Sequence, residues 1–162
     1  MIKIIDVQTA AELTQVRGLF RAYFQFLAQE DGLDISHQGI EDELAGLPGK
    51  FAPPEGRLIM AVTSEQPMGC AALRRIDEQA CELKRMFVLP QFRGQGVGKA
   101  LASKLIQDAR TIGYECMRLD TGNFWAAAIQ LYESLGFQRI EPHKDIPEDL
   151  RKISIFMELG LN

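Results

Sequence analysis

Arg93-Gly94-Gln95-Gly96-Val97-Gly98-Lys99 sets three glycines at alternate positions between two basic residues, just ahead of an apolar helical repeat. Without Cβ atoms in the way, several backbone N–H groups can face one anion, and the unpaired amides of a helix start add to them. That is a phosphate-binding arrangement. Spacing narrows the ligand. A dinucleotide fingerprint would need its third glycine at Lys99 or Leu101, depending on register, and a P-loop would need glycine at Arg93 and a hydroxyl at Ala100. Neither pattern fits. Arg93 and Lys99 can add charge-assisted contacts to a pyrophosphate, while Gln95 and Val97 contribute backbone amides.

The elements that must position this turn can be read from periodicity. Glu82 to Val88 leads into it as a strand, and Val97, Leu101, Leu105 and Ile112 form the buried stripe of the helix that follows. Gly113 suits the C′ position of that helix, and Tyr114 to Thr121 returns as a parallel strand, completing one βαβ unit. Upstream, Ile2 to Val7 is a short strand, and Thr9-Ala-Ala-Glu12 is a capping box opening a helix with the stripe Leu13, Val16, Phe20, Phe24 and Leu27. Ile40, Leu44 and Leu47 mark a shorter helix ending at Pro48-Gly49, followed by a loop to Gly56. Arg57 to Ser64, Met68 to Ile76 and Ala80 to Val88 read as antiparallel strands, because the links around Gln66-Pro67 and Asp77-Glu78 are too short for a crossover. Gly136 ends a further helix, Phe137 to Ile140 and Ile153 to Leu159 are strands, and Glu141 to Lys152 is a polar loop. The expected fold class is α/β: one domain over residues 1–162, with a mixed, mostly antiparallel sheet flanked by helices and one central parallel βαβ unit.

A second pattern lies one strand beyond the first. Ala126-Ala-Ala-Ile-Gln-Leu-Tyr132-Glu-Ser-Leu-Gly-Phe137, together with the glycine turn, resembles the paired signatures of the GNAT superfamily of acyl-CoA-dependent N-acyltransferases. The resemblance covers residues 82–140 and implies an N-acetyltransferase that uses acetyl-CoA, its turn gripping the coenzyme A pyrophosphate. It also implies that the strands on either side of the βαβ helix splay apart. Backbone groups of Met86 and Val88 then pair with pantetheine, and a main-chain N–H at or near Phe87 stabilises the oxyanion. By the same resemblance Tyr132 is the general acid for the thiolate, and Glu82, eleven residues before Arg93, is a general base. Residue type alone gives blander readings. Tyr132 shares an inner helical stripe with Ala128 and Leu135 as a packed aromatic, Met86 and Val88 are core side chains, and Glu82 pairs in solvent with Lys84 or Arg74. One departure is Trp125, seven residues before Tyr132, where the family often has an asparagine; Asn123 is the substitute candidate for a cofactor contact.

Bulk properties bound the partners. The 162 residues are 46% hydrophobic and 25% charged, with a formal net charge of -4, which disfavours nucleic-acid binding. No apolar run approaches a membrane span and Asp6 interrupts any signal-peptide core, so a cytoplasmic location is expected. Cys70, Cys81 and Cys116 are scattered among apolar residues and read as reduced core thiols, with no metal site expected. The resemblance implies a primary amine of a small molecule or peptide as acceptor, attacking directly in a ternary complex. Acceptor specificity is expected from residues 24–56 and 141–152, where Glu30 and Asp31 can attract a cation and His37 and His143 are loop residues. A homodimer is left open. The competing reading is a noncatalytic CoA-binding module of the same fold.

Overall fold

A computed structural model describes residues 1–30, 37–64 and 66–162. Arg57–Thr63 is almost wholly apolar and buried along its length, as a strand covered on both faces must be. It is β2 of a seven-stranded sheet built from β1 (Lys3–Asp6), β2, β3 (Gln66–Arg75), β4 (Ala80–Val88), β5 (Cys116–Gly122), β6 (Gln138–Ile140) and β7 (Ser154–Gly160). The order across the sheet is β1-β2-β3-β4-β5-β7-β6. Each neighbouring pair is antiparallel except β4 and β5, which are parallel and joined through α3 (Val97–Ile112). The remaining helices are α1 (Ala10–Glu30), α2 (His37–Gly46), α4 (Ala126–Ser134) and the single turn α5 (Glu148–Arg151).

Two apolar layers hold the sheet. Val16, Phe20 and Phe24 of α1 bury against Met60, Cys70, Ala72 and Phe87, together with Leu44 of α2. On the opposite face Val97, Leu101, Leu105 and Ala109 of α3 cover Ile59, Ala71, Leu73, Leu83 and Met117. These stripes recur every three or four residues, so each helix presents one face to the sheet. The capping box forms as the sequence predicts: Glu12 N–H donates to Thr9 Oγ1 at 3.1 Å and Thr9 N–H donates to Glu12 Oε1 at 2.9 Å. Gly113 closes α3 at φ +110°, its N–H donating to Ala109 O. Cys70 and Cys81 are buried, which pushes both thiols up to about 12.

Two local expectations change. Gln66 and Pro67 belong to β3, opposite Thr63 and Val62, where a register shift between Ala61 and Val62 accommodates a residue without an N–H. Within the expected loop 141–152, Pro147 leads into the one-turn α5. Asp31 lies outside the described residues, as do the side chains of Glu30 and His37. Among the described residues no helix is long and apolar enough to cross a membrane.

Candidate active site

The sheet opens at its centre. β4 and β5 pair at Ala80 with Cys116, Cys81 with Met117 and Glu82 with Arg118, and the ladder goes no further. Beyond Glu82 the two strands part, and α3 begins at the wide end. The parting coincides with a bulge in β4, since Cys70 faces Phe87 and Ala72 faces Lys84, leaving Ala71 opposite both Arg85 and Met86. Arg85 takes φ +57°, a conformation that costs a non-glycine residue stability. Its guanidinium is held in place by a two-pronged pair with Glu43 of α2, at 2.8 and 2.7 Å.

The bulge decides which amides face the gap. Leu89 N–H donates to Met68 O at 2.9 Å, and amides alternate in direction along a strand. Phe87 therefore points its N–H towards β3, whereas Val88 and Met86 point theirs into the opening. The oxyanion donor is expected at or near Phe87, and its neighbours Met86 and Val88 are the residues of this segment whose amides lie towards the opening. Side chains divide the same way: Phe87 packs with the α1 layer, while Met86 and Val88 lie partly buried against the α3 layer.

At the wide end Gly94 and Gly96 have φ +79° and +85°, and a Cβ built on either meets nothing within 4 Å. Their left-handed conformation demands glycine, and the space above them is open to a ligand. Gly98 differs, because a Cβ there would approach Leu131 Cδ2 of α4 at 3.3 Å. Gly98 serves helix packing. Val97 is buried, Lys99 is exposed with no ion pair within 4 Å among the described residues, and Gln95 Nε2 donates to Gln91 O at 3.3 Å. Arg93 turns back from the glycines: Nε donates to Val88 O at 2.9 Å, and its guanidinium lies 4.9 Å from the Phe26 ring centre and 5.5 Å from that of Phe87. Asn123 is also engaged structurally, its N–H donating to Ile153 O at 2.7 Å and its Nδ2 to Lys152 O at 3.4 Å. Trp125 packs edge-on to Phe26 at 5.5 Å, so the residue in the asparagine position joins α1 to the start of α4.

Tyr132 of α4 is buried and stacked edge-on to Phe137 at 5.7 Å. Burial raises its phenol pKa, and the nearby Tyr23 and Asp120 raise it further, so the hydroxyl keeps its proton. Asp120 lies on β5, opposite Phe156 of β7.

Glu82 occupies the point where the strands divide, fully buried. Arg74, directly opposite on β3, donates through Nε to Glu82 Oε1 at 2.8 Å. Lys144 donates to Oε2 at 2.8 Å and reaches Asp120 Oδ1 at 3.1 Å. His143 brings Nε2 to 3.3 Å from Oε2, stacks edge-on against Phe156, and leaves its buried Nδ1 without a partner among the described residues. Burial alone would raise the carboxyl, but Lys84, Lys144 and Arg74 outweigh it and hold Glu82 at about 2. The pairing with Arg74 expected in solvent is therefore buried, and a carboxylate so stabilised is a poor proton acceptor. These ion pairs make Glu82 an electrostatic anchor between β3, β4 and the segment after β6, at the position where a general base is expected. Lys144, His143 and Asp120 were not legible as members of this cluster, since only folding carries residue 144 to residue 82.

The likeness to known proteins extends over the whole fold. Residues 13–137 match the model of the Acetyltransferase (GNAT) family. The chain is 36% identical over 143 residues to an uncharacterized N-acetyltransferase of Schizosaccharomyces pombe, covering 86% of this chain and 88% of that one. Among solved structures, a GNAT-family acetyltransferase of Staphylococcus aureus superposes with a TM-score of 0.80 at 21% identity, covering 100% of both chains. The PaiA N-acetyltransferase of Thermoplasma acidophilum, solved in complex with coenzyme A, gives 0.75 at 16% identity and covers 99% of each. The parted strands, the glycine turn at their wide end and this match across most of the chain together show that the protein belongs to the GNAT family of acetyltransferases.

Proposed function

We propose that this chain transfers an acetyl group from acetyl-CoA to the primary amine of a small molecule or peptide, by direct attack with both substrates bound. The observation that carries the reading is the break in the β4–β5 ladder after Glu82, which turns the Met86 and Val88 amides towards a gap ending at open, left-handed Gly94 and Gly96. These groups fit coenzyme A. Backbone donors suit an extended amide-bearing arm, and the glycine turn with the first amides of α3 suits a pyrophosphate. Bound acetyl-CoA supplies an acyl group already activated as a thioester. Val88 N–H is aimed to stabilise negative charge at the acyl oxygen, and Tyr132 retains the proton that a departing thiolate needs. Arg93, tied to Val88 O, braces the strand between the aromatic rings of α1 and β4.

Incubation with acetyl-CoA and a panel of amines should release free thiol only when an acceptor amine is present. Thiol release that ignores every amine would remove the transferase reading. CoA should also raise the melting temperature, because a ligand at one hundred times its dissociation constant adds about 2.7 kcal/mol of stability, and NAD should add far less.

Gly96→Val tests the turn separately. A side chain there must adopt a strained conformation and fill the space through which the backbone meets the pyrophosphate. CoA affinity should fall about tenfold or more, roughly 1.4 kcal/mol, in protein whose circular dichroism shows it folded. Wild-type affinity would confine the glycines to turn geometry.

A further inference from the structure

We propose that the α1 and α2 side of β4, where the strands part, selects an acceptor amine that also bears a carboxylate, with Lys84 as the countercharge. The inference rests on the acetyltransferase reading and names the substrate class of the same site.

Most charges on this face are matched. Arg85 is committed to Glu43 through two hydrogen bonds. Glu82 is shared between Arg74 and Lys144, and Lys144 also holds Asp120 through one oxygen. Lys84 stands among these groups on the same strand face, opposite Ala72, yet has no ion-pair partner within 4 Å among the described residues. Among the described residues the cluster contains Arg74, Lys84, Arg85 and Lys144, with Lys50 near Glu43, against Glu43, Glu82 and Asp120. Positive charge is in excess there.

That charge sits at the parting of the strands. Lys84 lies two residues beyond the point where β4 leaves β5 and immediately before the Arg85 bulge that presents the Met86 and Val88 amides. Asp120, on the neighbouring strand β5, carries negative charge near both Lys84 and Tyr132. A half-buried cation with no partner is costly, and a ligand anion relieves the cost. The lysine's environment agrees: burial lowers its pKa, Arg85 and Lys144 lower it further against the pull of Glu82 and Asp120, and it settles at about 8. Beside it Asp120, partnered only through Oδ1 among the described residues, offers the complementary sign for the acceptor nitrogen. An amino carboxylate presents both charges at once; a simple amine or polyamine presents only the charge that Lys84 repels.

Calorimetry in the presence of CoA, with N-acetylglycine, N-acetyl-β-alanine and N-acetyl-γ-aminobutyrate against their carboxamides, measures this preference without turnover. At least one carboxylate should bind tenfold or more tightly than its amide, the preference should vanish in Lys84→Met, and Lys84→Arg should retain it. Acetylation of the parent amino acids should follow the same order in kcat/KM. Equal binding of carboxylates and amides across the series, or a preference unchanged in Lys84→Met, overturns the proposal. Equal loss in the Met and Arg variants shows that positive charge at this position does not carry the preference and overturns the proposal as well. A carboxylate preference without any acetyl transfer upholds the site and counts against the transferase reading alone.

Discussion

Tyr132→Phe should lower the single-turnover rate of acetyl transfer about 10²-fold or more while leaving CoA affinity unchanged, the usual scale for loss of a positioned proton donor. The substitution keeps the ring that stacks on Phe137 at 5.7 Å, so the packing of α4 against the sheet survives. Only the hydroxyl goes. Because burial raises the phenol pKa, and Tyr23 and Asp120 raise it further, the wild-type hydroxyl stays protonated up to and beyond the ordinary phenol range near 10. Activity should therefore show no alkaline loss assignable to Tyr132 below that range. Single turnover matters, since slow product release would hide a slower chemical step. A wild-type rate in the folded variant would return Tyr132 to a packing role and leave water as the proton source.

What the sequence disclosed was what neighbouring residues decide. The Thr9–Glu12 box closes within one helical turn, and the left-handed glycines at 94, 96 and 113 mark positions where other residues are strained. The stripes of α1 and α3 could be counted directly. The active opening depends on register instead. Nothing in Glu82-Leu-Lys-Arg-Met-Phe-Val announces that Arg85 will take a positive φ, because the residue holding it there, Glu43, is on another element. That bulge sets which amides face the gap, so the choice of oxyanion donor turns on it. Arg93 is placed by distant residues too. Its neighbours suggest a phosphate ligand, and folding brings the Phe26 ring of α1 to 4.9 Å and the Phe87 ring to 5.5 Å from its guanidinium. For Glu82 the sequence offered Arg74 and Lys84, which a short hairpin brings near, but not Lys144 and His143 from a distant loop.

Glu82→Ala should be the most destabilising single change in the site. Removing a fully buried carboxylate strands the Arg74 and Lys144 cations at the strand junction, and breaking a buried pair in this way costs about 3–5 kcal/mol. For a domain of this size that corresponds to a fall of roughly 10 °C in melting temperature. Glu82→Gln, which keeps the shape and loses the charge, should recover only part of the deficit. Replacing Glu82 and Arg74 together by methionine, with Lys144 left on Asp120, should recover more, since the Arg74 cation is then not stranded. The pH dependence follows from the sign of the shift. Glu82 has a folded pKa depressed from 4.5 to about 2, so its contribution is complete above about pH 4.5 and is lost as acid is added through pH 2. Wild-type stability should drop across that window, and the drop should be smaller in Glu82→Gln, which has no proton to take up at this site. If Glu82 instead served as the general base, Glu82→Gln would fold with wild-type stability and fail only in turnover. Unfolding curves at neutral and acid pH separate the two, and equal stability of the variant and wild type at neutral pH would refute the anchor.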